Sequence, residues 1–400
     1  MSVSGIEHTN GEVRNHTQLL VIGAGPYGLA TAAYARRAGI EPLVVGQPMA
    51  FWRDSMPSGM FLRSGAGWHL DAAREYTLTA YLEERGIDPD AVDPIPVGLF
   101  IEYATWFQEK SGVDVLPEMV GDLSRTDGHF EATLQGGHRI TADAVVVAPG
   151  ITQFTVVPDW VEKFLQPGRW SHTCTTVRFE EMRGSRVLIV GGRQSAFEWA
   201  ALLADEGAAG IHVVHRHDPP DFAPADWSFV DELMDLTSTI PGWFRNLPAE
   251  EREAISRRFW AEGRLKLEPW LTPRLDKPFV HRWPRASVRS CRELPDGGIE
   301  VELSNSTRLV VDHVILATGY KPDMRRVPYL AGIVDDLELD DGFPVLDEHF
   351  QSSLPGLFVT GFPATRDFGP FFGFVRGCPV AATLTVAGLK ETLDRAKSPA

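Results

Sequence analysis

The stretch Gln18–Gly28, QLLVIGAGPYG, decides how the rest of the chain is read. Gln18–Ile22 is a short apolar run of strand type. Pro26–Ala38 (PYGLATAAYARRA) has helical composition, with Gly39 placed as a stop. Glu41–Val45 (EPLVV) is a second apolar run. Strand, glycine turn, helix and strand in that order predict a parallel pair joined by a right-handed crossover. The turn itself is GxGxxG. Gly23 allows the tight bend, Gly25 lets the backbone approach a pyrophosphate, and Gly28 lets helix and strand pack closely. Ala24, Pro26 and Tyr27 complete the cradle, and the helix N-terminus turns its free N–H groups and dipole to the phosphates. The uncharged run Leu19–Ala35 approaches membrane-spanning length, but Gly23, Gly25, Pro26 and Gly28 break it and Arg36-Arg37 follow it.

The same grammar returns further on. Arg186–Val190 (RVLIV) leads into Gly191-Gly192-Arg193-Gln194-Ser195-Ala196, then the helical Gln194–Glu206, Gly207 and the run Ile211–His215. The turn keeps the outer positions of the dinucleotide fingerprint and puts Arg193 where the middle glycine stands. The two units also differ at the end of their second strands, where an acid normally meets the ribose. The first has Gln47, which can hydrogen-bond a ribose but brings no charge. The second has His215-Arg216-His217, and a basic group there suits a 2′-phosphate, so Arg216 favours NADP over NAD.

Two further strand ends match each other. Ala144–Gly150 reads AVVVAPG and Val314–Gly319 reads VILATG. Each closes a hairpin-like segment, Asp127–Ile140 and Cys291–Val311, and Leu309–Ala317 reads as one strand. Leu357–Thr360 is a last short strand. The order predicts an α/β protein of two Rossmann-like three-layer domains, the second inserted in the first. Its expected segments are 1–155 and 313–400 for the first domain and 156–312 for the second. Residues of about 218–290 break the pattern with Trp227, Trp243, Trp260, Trp270, Trp283, prolines and charge. They are expected to form an elaboration over the second domain or the cleft, with one or two helices in Arg252–Leu267.

Composition narrows the function. Four hundred residues suggest two or three domains, and 44% hydrophobic with 23% charged is ordinary for a globular chain. Lys+Arg of 38 against Asp+Glu of 54 gives −16, so nucleic acid and membrane surfaces are not expected partners. Cys174, Cys291 and Cys378 are too scattered for a disulfide framework, a zinc site or the redox pair of a disulfide reductase. His215-x-His217 lacks a third nearby ligand, so no metal is expected. Residues 1–17 are polar and carry no secretory signature, which together with the cysteines points to the cytoplasm. Homo-oligomerisation stays open.

With GAGPYG, GGRQSA, Gly168-x-x-x-His172 and Ala317-Thr318-Gly319-Tyr320 in one chain, the sequence resembles the class B flavin-dependent monooxygenases. The resemblance runs over roughly 18–215 and 295–380. It implies FAD on the first unit and NADPH on the second, with Gly150, Gly319 and Gly361 at strand ends beside the cofactors. Trp52 matches a tryptophan of the loop beside the flavin. Gln166 stands where the fingerprint has Phe, and Phe362 stands where a Gly-Asp element has Asp. The implied activity is hydride transfer from NADPH, formation of a C4a-(hydro)peroxyflavin with O2, and oxygenation of a small-molecule nucleophile, most simply at N or S. Baeyer–Villiger oxygenation of a ketone, a flavin NAD(P)H oxidase or reductase, and a nucleotide-binding sensor are the other readings. Met60–Gly65 lacks the asparagine of the flavin-containing branch. The expected catalytic residues are Arg63 and His69, from the polar–aromatic stretch Arg63–Asp71, and His172, which on spacing alone reads as a surface or capping histidine.

Overall fold

In the computed structural model, residues 15–126 and 128–397 are described. The N-terminal segment whose polarity argued against a secretory signal lies mostly outside them, as does Asp127 of the first hairpin. Strands β1 (His16–Ile22), β2 (Pro42–Val45), β3 (Val115–Leu116), β4 (Val120–Thr126), β5 (His129–Leu134) and β6 (Arg139–Val147) form one sheet. Its order is β3-β2-β1-β6-β5-β4. β1 pairs in parallel with β2 and β6, while β4, β5 and the start of β6 make an antiparallel meander. The second sheet holds β7 (Trp170–His172), β8 (Arg186–Val190), β9 (Gly210–Val214), β10 (Val280–Trp283) and β14 (His313–Leu316), all parallel, in the order β10-β9-β8-β14-β7.

Alternation along the strands places the cores. Leu20 and Ile22 face one buried cluster of the first sheet, and Leu19 and Val21 face the other. The second sheet repeats this with Val187 and Ile189 on one side and Leu188 on the other. Each sheet is therefore the middle of three layers, as expected. Helix Pro26–Arg37 starts on Pro26, whose missing N–H costs nothing at that position. The last helix, Cys378–Lys397, shares the buried cluster of that helix through Val386, Leu389 and Leu393. Close packing explains Gly28, because a Cβ there would sit 1.8 Å from the Gly23 carbonyl oxygen.

The two halves differ where the sequence suggested likeness. β6 is continuous and serves both the meander and the parallel sheet. Its counterpart, read as the single strand Leu309–Ala317, is two strands in two sheets. β13 (Arg308–Val311) pairs with β12 (Ile299–Leu303) and through it with β11 (Val288–Glu293), while β14 joins the parallel sheet. The break is at Asp312, whose carboxylate accepts from the Arg186 backbone N–H and guanidinium, each at 2.7 Å. This polar knot turns the chain. As a result His313–Leu316, expected to open the returning part of the first domain, belongs to the second sheet. The return comes after it, through the short pair β15 (Leu339–Asp340) and β16 (Phe343–Pro344) to β17 (Leu357–Val359), which lies parallel to β6.

The Trp-rich elaboration leaves the second sheet after β9 and re-enters it at β10. It forms helices Phe229–Thr239 and Ala249–Arg258 and a π-turn at Phe259–Arg264. Phe229, Val230, Met234 and Phe259 bury themselves in the first domain's core cluster, so the insert packs on the first domain as well as over the cleft. Arg376 pins it there through Asp231 at 2.7 Å. No helix among the described residues is long and apolar enough to cross a membrane.

Candidate functional site

A cavity of about 1860 Å3 runs between the two glycine turns. That exceeds the roughly 300–1,000 Å3 that takes one drug-sized ligand, and suits two dinucleotides with a substrate. Its walls gather Gly23, Ala24, Gly25, Pro26, Tyr27, Gly28, Gln47, Trp52, Arg63, Gly150, Gly191, Gly192, Arg193, Gln194, Ser195, Arg216, Gly319 and Gly361. Ala196, His69 and His172 are not part of them.

At the first turn, the space beyond Gly25 is open, and no side chain caps the helix that follows. The N–H groups of its first turn are therefore left for an anion. Gln47 donates its amide N–H to the Pro117 carbonyl, which turns its oxygen into the acceptor it can offer a ribose hydroxyl. Trp52 lies on Phe100 at 4.6 Å, with its ring on the cavity wall. The Tyr27 hydroxyl stands 2.5 and 2.8 Å from the Phe372 and Phe374 carbonyls and donates to one at a time. Its ring lies against Gly361. The turn is thus fastened to the C-terminal segment.

The second turn is built differently. A Cβ on Gly192 would stand 2.3 Å from the His217 ring and 2.4 Å from His215, so only glycine fits beneath that histidine pair. The two rings lie 4.3 Å apart. Burial and the neighbouring His217 push His215 down to about 4, so it is neutral at pH 7. The Arg193 guanidinium takes no hydrogen bond among the described residues and stacks 3.6 Å over Trp260 of the insert. Burial and Arg216 pull it below its usual value. Arg193 and Arg216 carry no carboxylate partner among the described residues. Both the bare helix start and the two unpartnered guanidinium groups fit a phosphorylated dinucleotide.

A chain of polar contacts crosses the cleft. Arg63 donates Nε–H to Glu268 at 2.7 Å and Nη2–H to the Gly263 and Lys266 carbonyls at 2.7 and 2.9 Å. The Glu268 N–H donates to Gln194, whose amide donates to Glu198 at 2.7 Å. Trp227 donates to the Arg63 carbonyl at 2.9 Å and packs on Trp68 at 5.7 Å. Arg63 therefore reaches the cavity, but most of its donors are spent on holding the insert. His69 lies off the cavity wall, and burial is the main cause that lowers its pKa. His172 is 4% exposed, and burial pushes it down to about 4. Its Nδ1 accepts the Cys174 N–H at 3.3 Å, and its ring meets Tyr320 edge-on at 5.1 Å. Thr173 and Tyr320 reach the cavity beside it. The structure thus does not bring His69 and His172 to the cavity wall, and it occupies Arg63 with structure. Sequence reasoning missed Glu268, Trp260 and Arg264, because nothing in the insert repeats a motif and only its tryptophan density marked it.

The fold and the paired turns define an α/β protein of two dinucleotide-fold units facing one cavity. Residues 17–234, more than half of the chain, match the family model described as pyridine nucleotide-disulphide oxidoreductase, and the chain belongs to that family. It is 26% identical over 204 residues to thioredoxin reductase of Escherichia coli O157:H7, covering 51% of this chain and 54% of that one. The chain thus spans about half the length of that curated relative. It is 29% identical over 353 residues to ferredoxin–NADP reductase of Thermus thermophilus, covering 87% and 84%. Among solved structures, the ornithine N-hydroxylase of Kutzneria sp. 744 superposes with a TM-score of 0.79 over 96% of this chain and 100% of that one. The identity is 15%, so this is a likeness of fold, and it is the fold that the class B resemblance predicted.

Proposed function

We propose that the chain is an FAD- and NADPH-dependent monooxygenase that oxygenates a small-molecule nucleophile at N or S. One observation carries the reading: the cavity joining the two cradles is roofed by aromatic side chains of the insert. Trp227 packs 5.7 Å from Phe374, and Phe259 packs 5.3 Å from the same ring. A reductase that passes electrons to a protein or a dithiol needs an open flavin edge or a cysteine pair. Here the three cysteines are buried and free, and no two are joined.

When bound, FAD supplies the hydride acceptance and oxygen activation that no side chain here can perform. The chain binds, orients and excludes water. Gly23–Gly28 would hold the FAD pyrophosphate on backbone N–H groups, the Gln47 oxygen would accept from a ribose hydroxyl, and Trp52 would line the flavin side. Gly191–Ser195 would receive the NADPH pyrophosphate, while Arg216 and Arg193 would meet its 2′-phosphate. Gly150, Gly319 and Gly361 let backbone approach the two cofactors. Arg63 is a positioning residue that holds the roof in place. His172, neutral at pH 7, supports the Thr173 and Tyr320 wall. The aromatic roof keeps water from the reacting atoms.

The test is a balance sheet of oxygen. The protein is purified with its flavin, reduced anaerobically with NADPH and mixed with oxygenated buffer. A near-UV absorbance transient lasting seconds, with peroxide released slowly and below one equivalent, supports the reading. Immediate return of the oxidised flavin spectrum with stoichiometric peroxide replaces it with an oxidase or reductase.

A further inference from the structure

Arg264 ends the π-turn of the insert and lines the cavity. Its guanidinium takes no hydrogen bond and no carboxylate partner among the described residues. It lies 4.7 Å over the Trp260 ring and 5.4 Å over Phe374. Phe374 is the residue whose carbonyl faces Tyr27 of the first turn, and Trp260 is the ring on which Arg193 of the second turn stacks, so Arg264 stands between the two turns. Its orientation is imposed: Arg63 grips the carbonyls of Gly263 and Lys266 on either side of it. Burial, Arg193 and Arg63 together push it down to about 10, which still leaves it charged at neutral pH. An unpaired cation in an apolar wall is costly until an anion meets it. Arg63 is neutralised by Glu268, Lys321 by Asp341 and Arg366 by Asp340, Arg193 and Arg216 belong to the second unit, and Arg252 acts on Asp367, whereas Arg264 has only aromatic rings against it. The walls around it are flat and apolar: Trp227, Trp260, Phe259 and Phe374.

We infer that Arg264 anchors the carboxylate of an aromatic, acid-bearing substrate held beneath the roof. This rests on the monooxygenase reading only in calling the ligand a substrate. Two N–H donors of the guanidinium meet the two carboxylate oxygens, and the aromatic walls take the ring.

The experiment titrates the oxidised, flavin-loaded protein with benzoate, phenylacetate and indole-3-acetate, each beside its primary amide, following the flavin absorbance. At least one acid should bind about tenfold or more tighter than its amide, the size expected of a charge-assisted pair. Arg264→Gln should erase that difference, Arg264→Lys should keep part of it, and NADPH should bind both variants within about twofold of the parent. Equal binding of acid and amide, or binding of neither, overturns the proposal. So does an Arg264→Gln variant that loses NADPH instead, because the guanidinium then serves a cofactor phosphate. If Arg264→Gln fails to hold flavin, the Lys variant decides: acid binding as tight as the parent's with amide binding equal to it overturns the assignment. No oxygen is used in the titration, so failure of the oxygen balance leaves this result standing, and the reverse holds too.

Discussion

At Gly25 the first turn leaves open space and carries no charge, whereas at the matching place the second turn carries Arg193, stacked on Trp260. Around the first turn the fixed partners are neutral: the Gln47 amide and the Tyr27 hydroxyl, which reaches a carbonyl 345 residues along the chain. Around the second lie His215, Arg216 and His217, and its roof is an insert. Two copies of one backbone thus offer a phosphate two different settings. The first relies on backbone N–H groups and on being clasped into the core. The second adds long-range attraction by Arg193 and Arg216, cations without a carboxylate partner among the described residues.

Gly28→Val attacks the clasped turn and should have the largest effect. The new Cβ meets backbone at 1.8 Å with nothing flexible to yield, so soluble protein should carry almost no flavin. Flavin absorbance per mole of protein measures this, and full flavin content would break the account of the first turn. Arg216→Ala tests the charged turn. KM for NADPH should rise roughly ten- to hundredfold, the worth of a hydrogen bond to a charged group, while that for NADH stays within about twofold. Equal changes in both would remove the 2′-phosphate from the comparison.

The smallest effect is expected from acid. His172, His212, His215 and His313 all lie on the second sheet or its strand ends, and burial pushes each down to about 4. Their unfolded value is about 6.5. The unfolded chain therefore takes up protons that the folded chain refuses, and stability present above about 6.5 is lost as pH falls toward about 4. Melting followed by tryptophan fluorescence should drop by several degrees between about pH 7.5 and 5. NADPH binding should fail at a higher pH than flavin release. Simultaneous loss would mean that the two domains do not differ in this respect.

The fold was legible because its units announce themselves locally. GAGPYG and GGRQSA sit between apolar runs, and period-two burial along β1 and β8 follows directly. The split at Asp312 was not legible, since LVVDHVILA reads as one strand until Arg186, far off in the chain, supplies the partner that turns it. The site divides the same way. The motif glycines of the two turns and Arg216 do line the one cavity between the turns. Arg63 could be named but its work could not, because Glu268 and the Gly263 and Lys266 carbonyls that occupy it belong to a segment without periodicity. His172 showed a spacing, but burial depends on what folds over it.

The roof is spliced into the second sheet at both ends yet seated on the first domain's core through Phe229, Met234 and Phe259. A swing of one domain against the other must therefore drag this strap across the cleft or tear it from its seat. Any opening of the cleft by such a swing would have to break this buried seat.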